Sequence, residues 1–113
     1  MIPRANRLKS TRNIKRVFDK GRVISGAFFK IRVLRKIGRL ETEPSRIAVI
    51  ISKKFSNHAV VRNLARRRII AALAERLRNT HSFDIVVLPN RRMIEVKFAD
   101  LAAEFEKCLK QLL

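Results

Sequence analysis

Residues 46–70 read Arg46-Ile47-Ala48-Val49-Ile50-Ile51-Ser52-Lys53-Lys54-Phe55-Ser56-Asn57-His58-Ala59-Val60-Val61-Arg62-Asn63-Leu64-Ala65-Arg66-Arg67-Arg68-Ile69-Ile70. The unbroken apolar run Ile47 to Ile51 predicts a strand from Arg46 to Lys54, buried on both faces and therefore central in its sheet. The polar Ser56-Asn57-His58 segment then opens a helix from Ala59 to about Asn79, the longest in the chain, free of Gly and Pro. A strand end, a basic turn and a helix N-terminus in succession suit an anion. No glycine-rich loop joins them, so nucleotide binding of the P-loop kind is not expected.

The first turns of that helix carry the chemistry. At about 100° per residue, Arg62, Arg66, Asn63 and Arg67 fall within one arc of roughly 140°. Like charges four residues apart destabilise an isolated helix, and cations at its start oppose the macrodipole. A sequence that keeps them there implies an anion to neutralise them. Ile69, Ile70, Leu73 and Leu77 occupy an overlapping arc further along, so the C-terminal half packs on the sheet and the N-terminal half projects toward ligand.

Working outward, Ser10 or Thr11 caps a short helix from about Arg12 to Lys20, stopped by Gly21, with Ile14, Val17 and Phe18 on one face. Residues Arg22 to Lys36 alternate as one half-solvated strand, Phe29, Ile31 and Val33 opposing Phe28, Lys30, Arg32 and Leu34. Ile37 to Ser45 form a loop. Phe83 to Leu88 read as a second buried strand, Pro89-Asn90 as a turn. A closing helix from Met93 or Ile94 follows, its core stripe being Phe98, Leu101, Ala102, Phe105, Leu109 and Leu112. The order α-β-β-α-β-α gives an α+β fold, one domain over residues 1–113 with a single sheet.

Composition narrows the partner. Lys and Arg number 27 against 9 acids, a net charge of +18, yet 47% of residues are hydrophobic, enough for a packed core rather than a disordered basic tail. Residues 1–78 hold 22 of the bases and four acids, whereas residues 79–113 hold five of each. The binding surface therefore belongs to the first two thirds, and the remainder reads as scaffold. Nucleic acid is the leading polyanion. The longest apolar run is far too short for a bilayer, the N-terminus lacks a secretory pattern, and the lone Cys108 forbids an internal disulfide, so a cytoplasmic protein with no membrane partner is expected. DNA is not expected either, since a strand, not a helix, precedes the basic helix where helix-turn-helix proteins place their first helix.

Lys53-Lys54 followed by Arg62-Asn63-Leu64-Ala65-Arg66-Arg67 resembles the signature of the bacterial ribonuclease P protein component. The similarity extends through Arg7 to Ser10, Val17 to Gly21 and the strand around Phe29, covering nearly the whole chain. It implies a ribosomal-protein-S5-domain-2-like fold with a left-handed βαβ crossover, an exception to the usual hand. It also implies a protein subunit that assists Mg²⁺-dependent removal of the 5′ leader from precursor tRNA. The metal and the chemistry would belong to the RNA, with no catalytic or metal-ligating protein side chain. By the same resemblance, Lys53, Lys54, Arg62, Asn63, Arg66, Arg67 and Arg68 would meet the ribonuclease P RNA. Ile14, Phe18, Phe29, Arg32 and Lys53 would line a cleft for the leader of precursor tRNA. The sequence departs from the family pattern at Leu64, usually Arg; at Ile14, usually Phe; at Arg32, commonly aromatic; and at Ser56-Asn57-His58, where a Gly is frequent.

Charge alone supports a second reading, a structural ribosomal-type RNA-binding protein. A protein-borne nuclease site is disfavoured: nothing brings His58 and His81 together, Asp84, Glu95 and Asp100 are scattered, and Cys108 falls on the closing helix as a core or boundary thiol.

Overall fold

In the computed structural model, residues 7–35, 45–77 and 82–111 are described. The Ser10 hydroxyl accepts from the Asn13 amide at 3.5 Å and starts helix α1, Thr11–Lys20. Gly21 ends it because no Cβ fits there: one would run into the backbone oxygens of Val17 and Val33. Strands β1, Arg22–Ser25, and β2, Phe29–Arg35, follow. After Ser45 come β3, Arg46–Val49, and helix α2, Ala59–Leu77; then β4, Phe83–Pro89, a 3₁₀ helix Arg91–Glu95, and helix α3, Phe98–Lys110.

The four strands lie in the order β1-β2-β4-β3. β1 pairs antiparallel with β2 and β2 with β4, while β3 runs parallel to β4 with α2 as the crossover between them. Strand alternation then sorts the side chains. Ile24, Phe29, Ile31, Val33, Ile47, Ile85 and Val87 turn to the face covered by α2 and α3. Val86, Leu34, Ala48 and Leu88 turn to the other face, against Leu8 and the Ile14, Val17 and Phe18 stripe of α1.

Three expectations are corrected. The single strand from Arg22 to Lys36 is a hairpin, because Gly26, Ala27 and Phe28 reverse the chain: the Gly26 amide donates to the Phe29 carbonyl at 2.8 Å, and the Ala27 amide donates to Glu104 Oε1 at 3.0 Å. The apolar strand Arg46 to Lys54 is neither central nor that long. β3 holds four residues at the sheet edge, and β4 is the inner strand. β3 is nonetheless covered on both faces, Ile47 in the core under α2 and α3 and Ala48 against the Leu8, Val17 and Val86 cluster, and the N-terminal segment covers its outer edge through a parallel bridge from Arg7 to Ile47, the Leu8 amide donating to the Ile47 carbonyl at 2.9 Å. The closing helix begins at Phe98, not Met93 or Ile94, since Arg91–Glu95 form a separate 3₁₀ turn capped by Asn90. Phe98 is consequently exposed, and Cys108 with Leu101, Ala102 and Phe105 makes the buried stripe. Ile37 to Pro44, Lys36, His81 and Leu112 lie outside the described residues.

Asp84 is 2% exposed on β4 and takes both prongs of the Arg46 guanidinium, at 2.9 and 2.8 Å, clamping β3 to β4 at the rung where the two strands begin pairing. Among the described residues no helix is long and apolar enough to cross a membrane.

Candidate nucleic-acid interface

The turn after β3 explains the paired lysines. The Phe55 amide donates to the Ser52 carbonyl at 3.1 Å, which closes a four-residue turn with Lys53 and Lys54 at its two central positions. Phe55 is driven into the core beneath α2, so the turn is anchored while both ammonium groups stand in solvent. The chain then enters α2 through Ser56, whose hydroxyl accepts from the His58 amide at 3.1 Å.

The arginines of α2 do not form one uniform patch. Arg62 is half-buried, its Nη1 donating to the Ser56 carbonyl at 2.8 Å, so it braces the entry to the helix. Arg66 Nη1 donates to Asn63 Oδ1 at 3.0 Å, and this bond aims Arg66 across the helix toward the sheet edge. Arg67 is exposed and makes no hydrogen bond within the described residues. Arg68, grouped with them on sequence, points the other way: 200° around the helix from Arg66, its Nη2 donates to the Val96 carbonyl and ties α2 to the start of α3. Leu64 is exposed beside Val60, one turn away.

The second group divides as well. Ile14 and Phe18 lie on the α1 face. Arg32 joins them, its guanidinium 4.8 Å from the centre of the Phe18 ring and its Nη1 donating to the Phe18 carbonyl at 3.3 Å. Phe29 does not line a cleft on that side. Strand alternation puts it on the face opposite Lys30 and Arg32, where it is fully buried and stacked on Phe105 with centroids 4.1 Å apart. A ring locked between sheet and α3 cannot reach a nucleotide.

What joins the two groups is a groove of about 510 Å³ along the β3 edge. Its floor is apolar, from Leu8, Ile14, Ile47, Val49 and Ile70, and its rim carries Arg7, Lys9 and Arg66. Sequence reasoning placed Ile14 and Arg66 on separate surfaces, and the groove brings them together. It missed Arg7, Lys9 and Ile70. Arg7 to Ser10 had drawn notice only as a family-like stretch, and nothing in the residues announced that this stretch would lie along β3. An apolar floor with a cationic rim accepts a base or ribose with its phosphate at the edge. Among the described residues no three His, Cys, Asp or Glu side chains gather as a metal site. Burial pushes the Cys108 thiol upward, with the Glu104 carboxylate adding to the shift and Lys107 opposing it.

Comparison with known proteins finds matches over nearly the whole chain. The Ribonuclease P family model matches residues 2–113. The ribonuclease P protein component of Gluconacetobacter diazotrophicus is 32% identical over 98% of this chain and 94% of its own. The ribonuclease P protein of Staphylococcus aureus superposes with a TM-score of 0.81 at 22% identity, covering 96% of each chain. That of Thermotoga maritima gives 0.78 at 22% identity, covering 93% of this chain and 96% of its own. The ribosomal alternative is not favoured by these relatives.

Proposed function

The chain belongs to the ribonuclease P protein family and is the protein subunit of that endoribonuclease, partner to its RNA; from that premise we propose that it grips two RNA segments side by side. The turn lysines Lys53 and Lys54, with Asn63, Arg66 and Arg67 of α2, take phosphates of the catalytic RNA. The groove along β3, with Ile14, Phe18 and Arg32 beyond it, takes the single-stranded 5′ leader of precursor tRNA. The observation that carries this reading is the groove itself, where Arg66 of one group and Ile14 of the other line the same cavity.

The protein's contribution is positional and electrostatic. Cations on the rim lower the repulsion between the leader and the catalytic RNA, and the floor holds a base that the leader can unstack. In keeping with the family resemblance, the hydrolysis and its Mg²⁺ ions are assigned to the RNA. Arg32 already covers the Phe18 ring, so the leader is held more by charge than by stacking.

Reconstitution tests this. The protein mixed with a ribonuclease P RNA at low Mg²⁺ should restore 5′ cleavage of a precursor tRNA, with tighter binding of precursor than of mature tRNA. Absence of rescue, or equal affinity for both tRNAs, would overturn the proposal.

A further inference from the structure

A second cationic site lies at the far end of the sheet. Lys20 ends α1, Arg22 begins β1 and Arg35 ends β2, and the three surround a pocket of about 370 Å³ walled by Val33, Leu34 and Phe83. The register explains their meeting. Arg22 stands opposite Val33, and Arg35 follows Val33 by two, so the two arginines share a sheet face as diagonal neighbours, about 7–8 Å apart at their backbones. Gly21, which admits no side chain, folds Lys20 in beside them.

Among the described residues the three charges lack a counter-charge. All are exposed, and none forms an ion pair among the described residues, where Arg46 pairs with Asp84 and Arg76 with Glu106 instead. Arg22 Nη1 donates to the Gln111 carbonyl at 3.3 Å, which steadies one guanidinium without neutralising it. Three cations drawn together over apolar walls repel one another, and a phosphate removes that cost.

The site is separate from the one above. β2 and β4 pair over seven residues, so Arg35 at one end and Pro89 at the other are about 20 Å apart. β3 and β4 both run away from the Arg35 end, and Lys53, Lys54 and the first turns of α2 follow the end of β3. One phosphate cannot serve both ends.

We propose that Lys20, Arg22 and Arg35 form a second RNA-phosphate site, at the end of the sheet opposite the α2 arginines. It rests on the reading that the partner is RNA, and lengthens the footprint along the molecule.

The test uses the reconstituted holoenzyme and the double variant Lys20→Gln/Arg35→Gln, with Arg22 left in place to keep its bond to α3. Affinity is followed between 50 and 200 mM salt in two titrations, protein with catalytic RNA and holoenzyme with precursor tRNA. Each lost phosphate contact flattens the slope of log affinity against log salt by about 0.7–0.9. A slope flatter by one or more in the first titration assigns the phosphate to the catalytic RNA, and in the second to the substrate. Single Arg35→Gln carries the test should the double variant melt early, and Arg35→Lys, which keeps the charge, should retain the parent slope. If neither slope moves while Arg66→Ala/Arg67→Ala flattens one, the second site is wrong and the RNA reading stands. If neither variant has an effect, both readings fall.

Discussion

On the sheet face under α2 and α3, Phe29, Ile31, Ile85, Leu101 and Phe105 are all at or below 1% exposure. On the face under α1, Leu8, Val17 and Val86 form a smaller buried cluster, and Ile14, Phe18, Arg32 and Leu34 are half-open. Two helices seal the first face and one short helix partly roofs the second. The sealed face supplies the rigidity, and the partly roofed face can therefore leave apolar floor and cationic rim accessible without unfolding the domain.

The comparison breaks most directly at Phe29. Phe29→Ala removes a fully buried ring from its stack on Phe105 and should cost about 3–5 kcal/mol, lowering the melting temperature by roughly 15 °C or more. If a calorimetric melt moved by only a degree or two, the sealed face would not be the source of stability. Next comes Asp84→Ala, which removes the two-pronged carboxylate partner of Arg46. Arg46 is a quarter exposed, so the loss should be about 2–3 kcal/mol, below the figure for a fully buried pair.

How much of this was legible beforehand follows the same division. The sealed face shows in local periodicity: Phe29, Ile31 and Val33 alternate, and Leu101, Ala102 and Phe105 recur at helical steps, so both elements could be read from their neighbours. The groove could not, because it depends on where β3 lies. Ile47 to Ile51 announce a strand covered on both sides, and the residues cannot say whether the cover is a strand within the sheet or the chain's own Arg7 and Leu8. Phe29 shows the same gap: the family resemblance puts it in the leader cleft, whereas strand alternation places it on the face opposite Arg32, which lies against Phe18 of α1. Arg68, grouped with Arg66 and Arg67 by the resemblance, lies about 200° around the helix from Arg66 and bonds the Val96 carbonyl instead.

On the open face, Arg66→Ala/Arg67→Ala should weaken RNA binding roughly tenfold per arginine in filter-binding titrations while leaving the melt unchanged, since neither side chain belongs to the core stripe. A large fall in melting temperature would make them structural and erase the contrast between faces. Arg32→Ala should lower the ratio of precursor to mature tRNA affinity a few-fold, and also loosen α1 by about 0.5–1 kcal/mol through loss of the bond to Phe18.

The smallest effect belongs to Cys108. Its thiol titrates above the usual value of 9.0 because the folded state keeps it protonated. Stability from this source is present in full below pH 9 and declines as the pH climbs toward the raised folded value, where the unfolded thiol has already ionised. Alkylation at pH 8 should be slow in the folded protein and fast in denaturant; equal rates would show that α3 does not seal its side of the sheet.

The strand order β1-β2-β4-β3 carries a consequence for biosynthesis. β4 separates β2 from β3, so the hairpin made first and the edge strand made next have nothing between them until residues 83–89 emerge from the ribosome. By then the 22 Lys and Arg residues of the first 78 positions have already left the exit tunnel. The nascent chain thus presents its entire excess of positive charge before its sheet is complete, and the pairing of β4 joins the hairpin to the edge strand.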